Sequence, residues 1–235
     1  MKFIGRSRQL KQLNKMLASD EAQMALIYGR RRVGKSELVK QFIKESDVKS
    51  IYYECRQVTE ASNIQGISEV VSEALNLPAL GYSSFESLMD FIFSKAKDEK
   101  IIFVLDEYSY LRENTRGIDS ILQALIDKYR EKSMLKLIIL GSCVDIMKSL
   151  IAHSNPLFGR VDLVINLKQM DYYDSAKFYP AMSDEDKVRI YSVFGSVMLH
   201  RHIHSGPEYN QANQKAGIRR FDVGVDAHHY NHRCQ

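Results

Sequence analysis

The sequence predicts an α/β fold of three layers, with a mainly parallel sheet covered by helices on both faces. Two observations carry this expectation. Short apolar runs alternate along the chain with segments of helical periodicity, the order that parallel strands joined by crossover helices require. The runs themselves, such as Gln23–Tyr28 (QMALIY) and Ile101–Leu105 (IIFVL), are apolar without alternation, as strands buried on both faces are.

Taken in order, Arg6–Ala18 places Leu10, Leu13, Met16 and Leu17 at helical spacing. Gln23–Tyr28 reads as a buried strand ending at Gly29, and Lys35–Lys44 as a helix with Leu38, Val39 and Phe42 on one face. Lys49–Glu54 is a second strand. Ser62–Leu75 and Ser84–Lys97 are two helices either side of a turn-rich stretch. Ile101–Leu105 is a third strand, closed by Asp106 and Glu107. Ile118–Tyr129 is a helix, Leu137–Leu140 a fourth strand and Asp145–Ile151 a short helix. Val161–Leu167 alternates less cleanly and is a fifth strand. Ser183–Phe194 is a last helix, with Ser183 as N-cap and acidic residues in its first turn.

Composition bounds the rest. The chain has 235 residues, 45% hydrophobic and 26% charged, enough for one sizeable α/β domain with a small appendage. A net charge of +4 is too near balance to argue for nucleic acid. Cys55, Cys143 and Cys234 are widely spaced and form no C-x-x-C pair, so they suggest neither a disulfide framework nor a zinc site. The longest apolar runs are five residues, far short of a membrane span, and Met1–Leu10 is not a signal peptide. The expectation is a soluble cytoplasmic protein.

Residues 29–36 read Gly-Arg-Arg-Arg-Val-Gly-Lys-Ser, the G-x-x-x-x-G-K-[ST] pattern of a phosphate-binding loop. Gly29 and Gly34 let the backbone take conformations that a side chain would block. The loop then turns successive N–H groups inward as an anion nest, and the following helix adds the positive end of its dipole. Lys35 supplies a point charge for the outer phosphates, and Ser36 a hydroxyl for Mg²⁺. Gly29, Arg30, Arg31, Arg32, Val33, Gly34, Lys35, Ser36 and Glu37 are therefore the expected nucleotide-binding segment. Arg30, Arg31 and Arg32 read either as a solvated loop tip or as an anion-steering cluster.

Asp106 and Glu107 close the most apolar strand about 70 residues later. Their bland reading is an acidic helix cap. Their chemical reading gives Asp106 to the Mg²⁺ shell and Glu107 the role of general base toward an attacking water. The adjacent carboxylates favour the subclass of P-loop NTPases with a glutamate base and an extra strand between the two motifs, the ASCE type. Leu137–Leu140 supplies that strand, and Ser142 just beyond it is a candidate γ-phosphate sensor. Arg160, after the turn-forming Asn155-Pro156, is either an arginine finger, in cis or toward a neighbour, or an ordinary surface arginine.

With Phe3-Ile4-Gly5-Arg6, GRRRVGKS, IIFVLDE and LIILGS in this order, the chain resembles the archaeal-type ATPases, a P-loop family close to the AAA+ and STAND groups. The resemblance covers about residues 1–195. It implies a sheet of order 2-3-4-1-5, ATP as ligand with Mg²⁺, and base-side contacts from Phe3, Ile4 and Arg6. Pro156–Arg160 (PLFGR) is similar to the family's Pro-Leu-x-Gly-Arg stretch, which supports Arg160.

The expected organisation is a P-loop ATPase core over residues 1–182, the start of a helical lid over 183–195, and a tail over 196–235. At Ser196 the sequence leaves the family's Gly-x-Pro-x-Tyr continuation, and six of the seven histidines follow. A frame-shifted or otherwise foreign tail is the leading expectation. A metal site built on His200, His202, His204, His228, His229 and His232 is its rival. Two functional readings stand: a Mg²⁺-dependent ATPase converting ATP to ADP and phosphate, or a nucleotide-dependent interaction module with negligible turnover. A protein or nucleic-acid partner and a homo-oligomer are both compatible with the sequence, and no motif identifies either.

Overall fold

The computed structural model of the chain describes residues 3–78 and 81–194. A first compact unit runs to Lys168 and a second begins at Gln169. In the first, α1 (Ser7–Ala18), β1 (Gln23–Tyr28), α2 (Lys35–Glu45), β2 (Lys49–Glu54), α3 (Glu60–Ala74) and α4 (Phe85–Lys95) are followed by β3 (Ile101–Asp106), α5 (Tyr108–Asn114), α6 (Ile118–Tyr129), β4 (Leu135–Gly141), α7 (Val144–Ser149) and β5 (Leu163–Asn166). The five strands form one sheet of order β2-β3-β4-β1-β5, and every pairing is parallel. The expected extra strand, β4, lies between β3 and β1.

The strands' period of two divides the core between the two faces. Leu26, Ile51, Phe103, Leu105, Leu137 and Ile139 pack on one side against α3, α4 and α6, through residues such as Ile67, Phe85, Ile92 and Leu122. Ala25, Ile27, Ile102, Val104, Ile138 and Leu140 pack on the other against Leu13 and Met16 of α1 and Leu38, Val39 and Phe42 of α2. Side chains such as Phe42, Phe85 and Phe103 are wholly buried, each contributing about 1.5–3 kcal/mol of hydrophobic stabilisation. Thr59 and Ser84 cap α3 and α4 by accepting from the backbone N–H groups of Ser62 and Ser87.

The strand ends nearest the motifs are the sheet's carboxyl ends, so β1, β3 and β4 deliver Gly29, Asp106 and Ser142 to one edge. That is where open α/β sheets place their ligands.

Several expected boundaries shift. α5 does not appear in the helical periodicity, because seven residues give too few turns to show a stripe. β4 extends to Leu135, past Lys136, whose charge reads in the sequence as a boundary. β5 is shorter than the run Val161–Leu167 suggests.

Lys136 is wholly buried, and its Nζ reaches out to donate to the Glu21 carbonyl. Burial, with repulsion from Lys100, pushes its pKa down to about 8 against the pull of Asp20, Asp162 and Glu21. The unfolded chain holds this proton to near the ordinary lysine value, so between about pH 8 and 10 it binds more protons than the folded one. Stability from this residue therefore rises with pH across that window. Lys136→Met, which carries no charge, is expected to lose this rise. Urea unfolding at pH 7, 8, 9 and 10 should show its advantage over lysine shrinking as pH increases.

The second unit contains α8 (Tyr172–Ala176) and α9 (Asp184–Phe194) among its described residues. α8, only five residues long, is likewise absent from the sequence periodicity. Ser183 caps α9 as expected, its Oγ accepting from the Asp186 N–H at 3.2 Å. Tyr191 packs edge-on against Tyr172 and donates from its hydroxyl to the Met170 carbonyl at 3.1 Å. The tail beyond residue 194, with its histidines, lies outside the described residues. No described helix is long and apolar enough to cross a membrane. Cys55 and Cys143 are free thiols.

Candidate nucleotide site

The phosphate loop begins where β1 ends. At Gly29 the chain passes so close to β5's exit that a Cβ there would lie 2.1 Å from the Leu167 carbonyl oxygen. Only glycine fits that approach. Gly34 caps α2 with φ 90°, in the left-handed region that glycine adopts without strain. Arg32, with φ 65°, takes the left-handed conformation without that freedom, a local strain of the kind stored at functional loops. The first N–H groups of α2 have no partner within the helix and point back toward this loop.

Lys35 is buried, at 6% exposure, and its Nζ donates to the Gly29 and Arg30 carbonyls at 3.0 and 3.3 Å. Burial lowers its pKa from the ordinary lysine value, against the attraction of Glu107 and Asp106. Arg30, Arg31 and Arg32 are all exposed, and Arg31 donates to the Tyr110 hydroxyl at 3.1 Å. Val33 is buried in the core beneath the loop, and Glu37 is exposed in the first turn of α2.

Asp106 meets the loop directly. Ser36 Oγ donates to its Oδ2 at 2.6 Å, joining residues 70 positions apart. Tyr52 of β2 donates to the same oxygen, and the Glu107 N–H donates to Oδ1 at 2.9 Å. Parity explains the Tyr52 contact. Tyr52 is in register with Val104, and its side chain shares the α2 face of the sheet with Val104 and with Asp106, two residues further along. Burial, reinforced by the bond to Asp106, raises the Tyr52 pKa and keeps the hydroxyl a donor. A paired hydroxyl and carboxylate are hard oxygen donors of the kind Mg²⁺ takes.

Glu107 leaves β3 with φ 50° and ψ 47°, a left-handed residue at the start of α5. This turn aims its carboxylate toward the end of β4, where Ser142 meets it. Ser142 Oγ lies 2.7 and 2.8 Å from the two carboxylate oxygens, and its N–H donates to Oε2 at 3.1 Å. Ser142 thus holds Glu107 through two donors.

The remaining expected residues fall less directly. Phe3 packs half-buried against the α1–α2 core, and Ile4 is likewise half-buried. Arg6 Nη2 donates to the Val33 carbonyl at 3.0 Å and to the Lys168 carbonyl at 2.6 Å, tying the phosphate loop to the chain beyond β5. That is a clamp on the backbone, a task the resemblance did not suggest.

Arg160 is not brought to its own phosphate loop. It forms a two-pronged bond with Asp127, Nη2–Oδ2 at 3.0 Å and Nε–Oδ1 at 3.2 Å. Two residues on, Asp162 accepts from the N–H of Met24, at the start of β1. The phosphate loop follows the other end of that strand, about 17–20 Å away. Of the readings left open for Arg160, the structure shows a surface arginine in an ion pair, toward the end of β1 opposite its own phosphate loop.

Two residues were not legible in the sequence as part of this region. Tyr52 reads there only as one position of a strand. Asp119, in the first turn of α6, is buried and accepts from three residues on two segments: the Tyr108 hydroxyl and Arg112 Nε of α5, each at 2.9 Å, and Asn155 Nδ2 at 2.8 Å. It anchors α5 directly behind Glu107. No local pattern announces either residue, because both depend on which strands and helices become neighbours.

A buried lysine in a glycine-bounded loop, facing a strand-end aspartate across a parallel sheet of this order, defines the P-loop ATPase class of fold. Solved structures share it. The Walker-type ATPase of Pyrococcus abyssi superposes with a TM-score of 0.63 at 19% identity, covering 83% of this chain and 64% of that one. The Orc1 protein of Aeropyrum pernix, solved in complex with DNA, gives 0.56 at 15% identity, covering 80% and 50%. Within this class, the chain belongs to the family of ATPase domains found predominantly in Archaea, whose profile matches residues 3–199. An uncharacterized protein of Methanocaldococcus jannaschii is 30% identical over 190 residues, 80% of this chain and 41% of that protein. The chain thus spans about two fifths of the length of this relative.

Proposed function

We propose that this domain binds ATP with Mg²⁺ and hydrolyses it to ADP and phosphate. The observation that carries this reading is the 2.6 Å hydrogen bond between Ser36 Oγ and Asp106 Oδ2, which unites the phosphate loop with the strand-end acidic pair. The roles divide by chemistry. The loop backbone and the start of α2 bind the phosphates, and Lys35 neutralises the outermost charge. Ser36 and Asp106 would hold Mg²⁺, which when bound offsets phosphate charge. Glu107 accepts the proton of the attacking water. Ser142 fixes the orientation of that carboxylate, and a carboxylate's roughly four lone-pair positions leave room for a water beside Ser142's two donors. Phe3, packed against the α1–α2 core, and the half-buried Ile4 are the apolar side chains offered to the base. Arg160 could act only on a neighbouring copy.

The core over residues 1–182 is the catalytic part in this reading, and 183–195 begins a lid. The test is phosphate release from ATP under saturating Mg²⁺ and again with excess EDTA. Saturable release that EDTA abolishes is the expected result. Nucleotide binding with no release above background would overturn the enzyme and leave a nucleotide-dependent interaction module.

A further inference from the structure

The cation site carries one residue that its motifs do not include. Asp106 is 4% exposed, and three donors engage its carboxylate: Ser36 Oγ and the Tyr52 hydroxyl on Oδ2, and the Glu107 N–H on Oδ1. A carboxylate offers roughly four lone-pair positions, so one is left. Ser36 and the Glu107 N–H belong to the motifs themselves. Tyr52 comes from a different strand, held in register beside β3, with its ring packed on the α2 face and the Lys40 ammonium 5.6 Å from its centroid.

We propose that Tyr52 is a positioning and specificity residue of the cation site, occupying Asp106 Oδ2 so that the carboxylate cannot embrace a cation with both oxygens. The inference rests on the functional reading above and deepens it. Its consequence is selectivity. Mg²⁺ dehydrates reluctantly and keeps most of its waters, so one remaining acceptor position suffices for it. Ca²⁺ gathers six to eight oxygens and often takes a carboxylate with both of them. Filling Oδ2 with a protein hydroxyl penalises Ca²⁺ and leaves Mg²⁺ little affected. The same hydroxyl fixes the plane of the carboxylate, so that Oδ2 stays turned toward Ser36.

Mg²⁺ and Ca²⁺ are titrated separately by calorimetry into the protein saturated with a non-hydrolysable ATP analogue. The original chain, Tyr52→Phe, Asp106→Asn and the double variant are compared. Tyr52→Phe is expected to lower the Mg²⁺-to-Ca²⁺ affinity ratio by roughly five- to tenfold, the range that one net hydrogen bond supplies. Nucleotide affinity in EDTA is expected to stay the same. In the Asp106→Asn background, removing the hydroxyl should add nothing, because Tyr52 acts through that carboxylate. Tyr52→Leu, which also lacks the hydroxyl, must give the same direction of change if the phenylalanine variant folds poorly. An unchanged ratio in a folded variant, or an equal shift with Asp106 already replaced, overturns the proposal and leaves the nucleotide reading intact. No nucleotide binding by the original chain, either with Mg²⁺ or in EDTA, overturns the nucleotide reading, and this inference with it.

Discussion

Lys35→Ala is expected to weaken nucleotide binding by roughly a hundredfold or more while leaving the fold intact. The ammonium is the one lysine charge buried in the phosphate loop, and a hydrogen bond from a charged group contributes about 1.5–3 kcal/mol. Losing that contribution to an outer phosphate corresponds to one to two orders of magnitude in affinity, and loss of the charge itself adds to it. Stability should move the other way or not at all. Burial already lowers the pKa of Lys35, a sign that the charged form is disfavoured where it sits. Titration with a fluorescent ATP analogue, run beside thermal unfolding, separates the two effects. A variant that binds within threefold of the original chain would falsify the phosphate-cradle reading of residues 29–36.

The second large effect belongs to Glu107. Glu107→Gln preserves size and the left-handed turn into α5 but removes the base. General-base catalysis contributes about 10²–10⁴-fold, so turnover should fall by that factor with nucleotide affinity unchanged. Unchanged affinity is expected because the carboxylate is held by the hydroxyl and N–H of Ser142 and has no proton to donate to a phosphate. The glutamine can still accept the Ser142 hydroxyl through its oxygen but offers an amide to the other donor, so the side chain stays near its place with one bond fewer. Single-turnover hydrolysis and equilibrium binding, measured on the same preparation, read the two quantities apart. Equal losses in both would mean that Glu107 supports the loop and is not the base.

These two substitutions test positions that stand in the sequence as motifs, whereas Tyr52 and Asp119 test what motifs do not hold. The contrast follows from the range of the forces. Gly29 and Gly34 are legible because a backbone that must turn on itself excludes other residues locally. β1, β2 and α6 are legible to the residue because their apolar runs end in abrupt polar or glycine boundaries. β4 is less so. Lys136 interrupts its apolar pattern, and the interruption is resolved only because the Glu21 carbonyl waits at the end of the lysine's reach. α5 and α8 are too short for a period to emerge, and they form because packing and caps from other segments hold them. Asp171 caps α8 by accepting from the Asp174 N–H at 2.8 Å.

Arg160 shows an ambiguity that the sequence leaves open. Its sequence context resembles that of an arginine near the phosphates, but the loop carrying it descends along α6 to Asp127, toward the amino end of β1. Arg6 is a milder case. Its placement beside the loop agrees with the resemblance, yet its Nη2 is spent on the carbonyls of Val33 and Lys168.

By itself, then, the sequence determined the class of fold, the phosphate loop and the acidic pair that faces it, because each is written in residues adjacent along the chain. Strand periodicity told which side chains share a face, but not which strands stand beside one another. Only the tertiary structure decided that Ser36 would reach Asp106, that Tyr52 would close the same carboxylate, that Ser142 would hold Glu107, and that Arg160 would pair with Asp127. The physical reason is common to all four. A hydrogen bond acts over about 3 Å, whereas the residues it joins here are separated by tens of positions. Their meeting depends on the parallel order and register of the sheet, which is set by the packing of its two faces.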